Sequence, residues 1–561
     1  MSSSAHTSAL LNSLKKHAAL YSPGSSALVE KQLTQILNIR QLNARQLLSL
    51  QKTLLFIKAY PQCNNHIELA NKVIGHCEKL LKGCSSGKKK ELEQSALPYT
   101  FTSGYYSYSL LNWLRTLKSG EMEWLDSDSA GLHPRDVMKH ALSEMEFDLI
   151  GQDSMSAEEW LAHASGSNEK NTWLDFTFTQ LDGLYCSRSL KDQLFEALHI
   201  GIRFKALDQS MSMFSMALSH GPVYEHSDGM LKRFDENELM RRPLPRSSAL
   251  SLKEKNELLK KARLCLFLLN RETDPVSQGY TNGLEYYELE RGFSLAFFSS
   301  LPEHRLPLES YIGFMMFKNR QPIAYGGAWL FGERSLLGIN IFEAFRGGES
   351  AFLFCQLLRG YKQRFKLQYI EVEPYQFGLG NPEGIKSGAF WFYYRFGFRP
   401  VDPQLAKQAE QEWRQIQKNK AYRSTYATLK SYTASNLALR FDTVFHNLDP
   451  GIISRFITQH ITLRHHSNRK SFRTWCIQKI KSELGDHYFS KAKNLHTGLE
   501  KLYPFLALCL DLRRMNGQEK KLLLDMIAEK GGSEFRYAEL LCDLNLQKHL
   551  APAELRKQLG I

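Results

Sequence analysis

The spacing of apolar and polar residues separates helical ends of the chain from a middle that is rich in strands. In residues 1–95, leucines and isoleucines recur at steps of three and four, for example in LVEKQLTQILNIRQLNARQLLSLQKTLLFIKAY. This spacing places them on one face of a helix and predicts a helical N-terminal region. From about residue 403 the pattern is again mostly helical, and one last strand is expected within RSTYATLKSYTASNLALRF, residues 423–441.

Residues 96–240 are dense in aromatic side chains, and their periodicity is weaker. Helical spacing predicts four helices in this region, at 134–147, 156–163, 188–196 and 205–217. The region ends at RRPLPRSS, residues 241–248, whose prolines, arginines and serines are typical of a linker. After the linker, residues 251–270 read as a helix that passes into a strand.

Strand signals cluster between residues 311 and 375. Residues 311–331 form two apolar runs around a polar turn at Lys318–Pro322, which predicts a hairpin. Further elements are expected as strands at 335–342 and 367–375, and as helices at 351–365 and 387–398. The order of these elements is hairpin, strand, helix, strand and helix, which indicates an α+β fold.

The predicted organisation has five parts. We expect a helical N-terminal region at 1–95, a mainly helical aromatic-rich region at 96–240, the linker at 241–248, a mixed β-sheet domain with flanking helices at 249–440, and a basic helical C-terminal region at 441–561. The sheet domain is therefore embedded between helical regions.

Charge and composition narrow the class of partner only slightly. The 561 residues include 72 Lys and Arg against 58 Asp and Glu, a formal net charge of +14. A basic balance favours anionic partners such as nucleic acid, phosphorylated cofactors or acidic membrane surfaces. The strongest basic and aromatic segment is RHHSNRKSFRTWCIQKIK, residues 464–481. We interpret it as a solvent-facing helix, so nucleic acid is a conceivable partner that we do not favour.

The nine cysteines include no C-x-x-C pair, which argues against a disulfide framework and against a zinc site of the usual spacing. Adjacent histidines at 465 and 466 have no spaced cysteine or carboxylate partner, so no metal is assigned. No apolar run reaches the length of a membrane span, and no signal peptide is expected at the N-terminus. A cytoplasmic protein with reduced thiols is the expectation.

The segment FEAFRGGESAFLF, residues 342–354, carries the most specific chemistry. An apolar strand ends in Arg346-Gly347-Gly348 and turns at once into a helix. Glycines at such a corner let the backbone approach a phosphate, and the helix N-terminus adds partial positive charge. Glu349 lies in the middle of the turn, however, and a carboxylate repels an anion. A phosphate cradle, a damaged cradle and a tight corner with a capping Glu remain open.

Residues 262–440 resemble the core of the GCN5-related N-acetyltransferase (GNAT) superfamily. That family reads strand, (Gln/Arg)-x-x-Gly-x-(Gly/Ala), helix, strand and then Ala-x-x-x-Tyr-x-x-x-Gly-Phe. Arg346 and Ala351 match the ends of the first motif, and the second is matched by Ala389, Tyr393, Gly397 and Phe398. Glu349 departs from the pattern, because the family has Gly at that position.

The resemblance implies an acyl-CoA-dependent N-acyltransferase that uses acetyl-CoA to acetylate an amine of a small molecule or a protein. The residues it assigns to the cofactor are Phe342, Arg346, Gly347, Gly348, Glu349, Ser350 and Ala351. The pantetheine arm would lie between diverging strands at 336–343 and 367–373, where amides near Phe342 would polarise the thioester carbonyl. We expect the Glu349 carboxylate to point outward while the bend still donates its N–H groups.

Three side chains are candidates for the chemistry. Tyr393 occupies the family's general-acid position, although a packing role in the aromatic segment, or the use of Tyr394, is almost as well supported. Glu343, at the end of a strand, is a candidate base, and Glu373 is a candidate base or amine anchor. Loop residues that could contact an acceptor are Arg271, Glu272, Asp274, Gln376 and Asn381.

Two other functional classes stay open at this point. Glu349 and the large helical fraction fit a non-catalytic GNAT-like interaction module, and the net charge fits a protein associated with nucleic acid. A related enzyme would transfer an aminoacyl group from tRNA. The acceptor, the acyl group, the oligomeric state and the roles of residues 1–240 and 441–561 do not follow from the sequence.

Overall fold

The computed structural model describes residues 3–22, 24–127, 131–150, 155–442, 447–485 and 495–560. It confirms the α+β class, with two β-sheets among many helices. The helical N-terminal region is also confirmed. Its helices are α1 (Ser3–Ala18), α2 (Ser25–Ile36), α3 (Ala44–Ala59), α4 (Asn64–Lys82) and α5 (Ser86–Glu91). Leucines at the predicted spacing, such as Leu33 and Leu54, are fully buried where these helices pack.

Residues 96–240 contain a small antiparallel sheet that the sequence analysis missed. Its strands, in the order β1-β3-β2, are β1 (Phe101–Gly104), β2 (Gly120–Ser127) and β3 (Ile200–Ala206). The helix predicted at 205–217 is wrong, because β3 and two short 3₁₀ turns occupy this stretch. Ile200, Ile202 and Phe204 are buried at every second position, a strand period that was present in the sequence.

The region also contains helices, which agree with the predictions at 156–163 and 188–196, whereas the single helix predicted at 134–147 is two short helices with a break between them. The helices of the region are α6 (Tyr108–Leu114), α7 (Pro134–Met138), α8 (Glu144–Ile150), α9 (Ala157–Ser165), α10 (Lys170–Gly183), α11 (Arg188–Ala197) and α12 (Glu236–Arg241). The linker at 241–248 then crosses the surface in a defined path. The Leu244 N–H donates to Gln363 Oε1 at 2.7 Å, and the Ser248 N–H donates to the Tyr286 carbonyl at 2.7 Å.

The main sheet has eight strands in the order β10-β11-β9-β8-β7-β6-β5-β4. These strands are β4 (Gly279–Glu288), β5 (Phe293–Ser300), β6 (Ser310–Lys318), β7 (Gln321–Phe331), β8 (Arg334–Ile341), β9 (Tyr369–Val372), β10 (Arg399–Pro400) and β11 (Leu437–Arg440). Strands β4 to β8 form an antiparallel meander, β8 and β9 are parallel, and β11 pairs antiparallel with both β9 and β10.

The helices around this sheet are α13 (Leu252–Leu268), α14 (Asp274–Ser277), α15 (Ser350–Arg364), α16 (Pro382–Lys386), α17 (Ala389–Arg395), α18 (Pro403–Lys418) and α19 (Tyr426–Ser431). The predicted hairpin, the two later strands and both helices are confirmed, as is the last strand within residues 423–441. The strand expected at the end of residues 251–270 is wrong, because α13 continues through it. Strands β4 and β5 were missed.

The C-terminal region is helical, as expected. It contains α20 (Pro450–His465) and α21 (Arg469–Leu484), followed by helices at His496–Cys509, Gly517–Gly531, Glu534–Asp543, Leu546–His549 and Ala553–Gln558. These helices build their own hydrophobic core, which also takes in Phe331 of β7, whereas a larger core joins the N-terminal helices to both sheets. Of the helices that the described residues form, none combines the length and the apolar character that a membrane crossing requires.

Candidate functional site

The bend between β8 and α15 retains part of the predicted set of amide donors. The Gly348 N–H donates a hydrogen bond to the Phe345 carbonyl at 3.0 Å. Within the described part of the chain, no hydrogen-bond partner accepts the N–H groups of Gly347, Ser350 or Ala351. Because Arg346 and Gly347 are exposed, these donors and one guanidinium group lie together at the surface.

The close approach at the glycine pair is made by the protein itself. A Cβ atom on Gly348 would lie only 2.4 Å from the ring of Tyr60, the residue that follows α3. A Cβ atom on Gly347 would have no other atom within 4 Å. Gly348 is therefore required for packing against the N-terminal helices, and the expectation that a ligand makes this approach is wrong for Gly348.

The expectation that Glu349 points outward is also wrong. Its side chain is completely buried, and its carboxylate lies 3.0 Å from Lys318 Nζ and 2.8 Å from the Arg291 guanidinium. The Leu231 N–H donates to the same carboxylate at 2.8 Å, and His226 Nε2 lies 3.5 Å away. We call these residues, Glu349 with Lys318, Arg291, His226 and Leu231, the Glu349 cluster.

Partners that are distant in the sequence explain this orientation. Burial by itself would raise the pKa of Glu349, but the neighbouring His226, the hydrogen bond from the Leu231 N–H and the charges of Lys318 and Arg291 lower it to about 2. Burial disfavours the charged form of Lys318 as well. It lowers the pKa of Lys318 to about 8 despite the nearby Glu349 carboxylate. The negative charge of Glu349 is thus compensated inside the protein and does not oppose an anion at the bend.

Strands β8 and β9 diverge beside the bend and leave a gap, the β8–β9 gap. They pair only at three positions, the last of which joins Leu336 to Glu371, and from there to Ile341 β8 is paired with β7 but not with β9. The side chain of Gln376, from the turn after β9, enters the gap. Its Oε1 atom accepts hydrogen bonds from the Ile339 N–H at 3.1 Å and from the Tyr393 hydroxyl at 3.2 Å.

The structure shows the packing role of Tyr393, and it places the hydroxyl group beside the β8–β9 gap. Its ring packs against Phe354 at a centroid distance of 5.4 Å and against Phe398 at 5.6 Å, within the core. Its hydroxyl group nevertheless reaches the β8–β9 gap. Burial raises the pKa of Tyr393 well above its ordinary value, so the hydroxyl group is protonated and can donate.

The sequence predicted that the amide donor of the gap lies near Phe342. The structure shows that it belongs to Ile339. The Phe342 N–H donates to the Ile323 carbonyl of β7 at 2.9 Å, and its ring stacks on Tyr325. Ile339 faces away from β7 in the ladder, so its N–H is free to meet Gln376.

The two candidate bases lie outside the contacts of the gap. Glu343 is exposed and forms an ion pair with Lys52 at 2.6 Å, and its hydrogen bond to Lys52 lowers its pKa. Glu373 is exposed at the end of β9. Its neighbour Glu371 is buried and accepts a hydrogen bond from Asn436 at 2.7 Å. Among the described residues, no hydrogen bond joins the carboxylate of Glu343 or Glu373 to Gln376 or Tyr393, although the Gln376 N–H donates to the Glu373 main-chain carbonyl at 2.9 Å.

The other candidate contacts have structural partners. Glu272 is half-buried and accepts a hydrogen bond from the Ser107 N–H at 3.0 Å, beside an open cleft of about 430 Å³. In the basic segment, Trp475 stacks on His460 and on Phe472, so these rings are used in packing α20 against α21. Arg473 forms an ion pair with Glu500.

Sequence reasoning missed several residues that shape the site. Tyr60, Lys318, Arg291 and His226 gave no local signal, because each acts through a contact that is distant in the sequence. Comparisons with protein-family models, with curated proteins and with solved structures return no match. The function is therefore argued from the geometry of this chain.

Proposed function

We propose that the protein is an acyl-CoA-dependent N-acyltransferase with a GNAT-like fold, which transfers an acetyl group from acetyl-CoA to an amine of a small molecule or a protein. One observation carries the proposal. The Ile339 N–H and the Tyr393 hydroxyl converge on one oxygen atom, Gln376 Oε1, inside the β8–β9 gap. An acyl carbonyl group that displaced the Gln376 amide would meet the same donors.

These two donors suit the chemistry of acyl transfer. The Ile339 N–H would stabilise negative charge that develops on the carbonyl oxygen when a neutral amine attacks. Tyr393, which burial keeps protonated, would supply a proton to the leaving sulfur. Glu343 and Glu373 remain predictions for the base, and each would act on an amine at the mouth of the gap.

The bend supports binding of the donor's phosphates. Unpaired N–H groups of Gly347, Ser350 and Ala351 surround the start of α15, and a helix N-terminus favours anions. The exposed Arg346 adds a positive charge beside them. Since Lys318 and Arg291 compensate Glu349 in the interior, the carboxylate does not cancel this attraction.

Calorimetric titration with acetyl-CoA tests the proposal. We expect saturable binding that Arg346→Glu weakens at least about tenfold, because a charge of the wrong sign then faces the phosphates. Arg40→Glu is a matched control, since Arg40 is exposed near the other end of α3 from Tyr60. Tyr393→Phe should keep the affinity and lower turnover about 100-fold or more. Equal binding by the two arginine variants would contradict the assignment of the bend.

A non-catalytic interaction module is the second candidate, and a specific observation favours it. Gln376 fills the β8–β9 gap and Tyr60 covers Gly348, so side chains of this protein occupy both predicted positions of the donor. If neither the natural protein nor a Gln376→Ala variant binds acetyl-CoA, this candidate replaces the enzyme.

A further inference from the structure

Three side chains of metal-ligating type meet between α2 and α4, apart from the β8–β9 gap. Glu30 lies on α2, Cys63 is the N-cap residue of α4, and His66 lies in the first turn of α4. One ligand atom from each lies within 4.8 Å of the others, and the described residues contain no second such group. His66 is buried, while Cys63 and Glu30 are half-buried.

The separation of the sulfur and oxygen atoms in this group is close to that in a tetrahedral zinc site. Cys63 Sγ lies 3.4 Å from Glu30 Oε1. With Zn–S and Zn–O bonds of about 2.3 Å and 2.0 Å, tetrahedral geometry separates sulfur and oxygen ligands by about 3.5 Å. The Ser26 hydroxyl oxygen is 3.5 Å from Cys63 Sγ and 3.1 Å from His66 Nε2. A fourth polar atom is thus already present on the remaining side.

The helices explain why these residues converge. Ser26 and Glu30 are four residues apart on α2, so both side chains lie on one face of that helix. Cys63 and His66 are three residues apart at the start of α4, which also places them on a common face. The spacing Cys-x-x-His was visible in the sequence, but its partner Glu30 comes from another helix.

We propose that Glu30, Cys63 and His66 bind a zinc ion, with a water molecule hydrogen-bonded to Ser26 as the fourth ligand. A thiolate, an imidazole and a carboxylate are the three ligand types that zinc takes in proteins. As the S–Zn bond forms, the Cys63 thiol releases its proton to solvent. His66 Nε2, which now lies 3.2 Å from the Ser26 carbonyl oxygen, gives up that contact and binds the metal as the neutral ring that carries its proton on Nδ1.

The ion would fix residues 61–63, the segment that directly follows Tyr60. Gln62 Oε1 accepts a hydrogen bond from Ser25 Oγ at 2.9 Å, and the Pro61 carbonyl accepts one from the His226 N–H at 2.8 Å. A metal that joins Cys63 to Glu30 would therefore add a second tie between this segment and α2. This role is independent of the proposed acyl transfer.

The test uses the full chain, stripped of metal with a chelator and titrated with Zn²⁺ and with Co²⁺. We expect one Zn²⁺ per chain by elemental analysis, and a sulfur-to-metal absorption band with Co²⁺. Cys63→Ser should lose the Co²⁺ band and weaken Zn²⁺ binding at least about 100-fold. Cys84→Ser, at another half-buried free cysteine, should retain both.

Two outcomes overturn the proposal. One is a natural protein that binds Zn²⁺ below one equivalent or gives no Co²⁺ band, which would leave only a hydrogen-bonded cluster of Ser26, Cys63 and His66. The other is equal binding by the Cys63 and Cys84 variants. If Cys63→Ser does not fold, Glu30→Gln provides the same comparison, and the Co²⁺ band of the natural protein remains decisive.

Discussion

Glu349 illustrates how a buried charge depends on every one of its partners. The Arg291 guanidinium donates to Glu349, Asp228, Tyr224 and the Gly229 carbonyl, and its backbone adopts the left-handed region with φ of 58°. Lys318 Nζ also donates to the Arg291 carbonyl oxygen. Removing charges from water is costly, so such a group is stable only while its hydrogen bonds are satisfied.

Glu349→Gln should therefore destabilise the protein strongly. The substitution leaves the positive charges of Lys318 and Arg291 without their carboxylate, and we expect the free energy of unfolding to fall by about 3–5 kcal/mol. Urea denaturation at neutral pH measures this change. Glu383→Gln is the control, because Glu383 is exposed and forms a long ion pair with Arg346, at 3.8 Å. We expect its free energy of unfolding to fall by no more than about 0.5 kcal/mol. Similar losses in both variants would contradict the role of the cluster.

Acid should remove the same stabilisation. The pKa of Glu349 is lowered from 4.5 to about 2, so its contribution is complete above the unfolded-state value and is lost as the pH falls toward 2. A difference of this size corresponds to about 3 kcal/mol. Urea midpoints measured from neutral pH downward should show the natural protein converging on Glu349→Gln between about pH 4.5 and 2. A separation between the two proteins that does not change with pH would rule this out.

At the scale of elements, the divergence of β8 from β9 creates a need for a hydrogen-bond acceptor. The Ile339 N–H points to the side of β8 where β9 no longer pairs, and a backbone donor shielded from water without a partner is costly. Gln376 supplies the acceptor from a loop, and it also receives the Tyr393 hydroxyl group. A ligand carbonyl can replace the Gln376 amide only if its oxygen accepts hydrogen bonds from the Ile339 N–H and the Tyr393 hydroxyl group.

Gln376→Ala should accordingly increase the affinity for acetyl-CoA. The donor would no longer compete with two internal hydrogen bonds of about 1 kcal/mol each, so we expect a dissociation constant about 10–30 times lower by calorimetry. Gln404→Ala, on the exposed side of α18, should leave it unchanged. Weaker binding by Gln376→Ala would mean that Gln376 contacts the ligand and does not compete with it.

At the scale of the whole molecule, regions distant in sequence depend on one another through the Glu349 cluster and through Tyr60, whose ring packs against Gly348. Tyr60 comes from the N-terminal helices, while His226 and Leu231 come from the segment before the linker. The C-terminal helices are attached through other contacts, such as the Arg305 guanidinium, which donates to the Lys530 carbonyl at 2.9 Å. The sheet that carries the candidate site is therefore covered on several sides by other parts of the chain.

A fragment of residues 249–441 should fail to fold independently. It retains Glu349, Lys318 and Arg291 but lacks His226, the Leu231 N–H and the Tyr60 ring that covers Gly348. Circular dichroism during heating should show no cooperative transition, whereas residues 1–442, which include the larger core, should retain one. Cooperative unfolding of the short fragment at the temperature of the longer one would show that the sheet is autonomous.

The sequence by itself determined the local elements around the site. Apolar periodicity placed the β6–β7 hairpin, β8, α15 and α17 correctly, because burial of one face of a strand or helix repeats at a fixed local spacing. It failed for β3, whose alternation was overlooked, and for β4 and β5, which lie near polar turn residues. Other features of the sequence pointed to the site: the family resemblance to Tyr393, the loop after β9 to Gln376, and the adjacent glycines to the bend.

Only the tertiary structure decided what those residues do. The direction of Glu349 depends on Lys318 and Arg291, which are 31 and 58 residues away, and the closure of Gly348 depends on Tyr60 in another region. Electrostatic and packing energies depend on distance in space, and local periodicity carries no information about which distant side chains will be neighbours. The meeting of Glu30 with Cys63 and His66 follows the same rule, since two helices must pack before the three ligand atoms share a site.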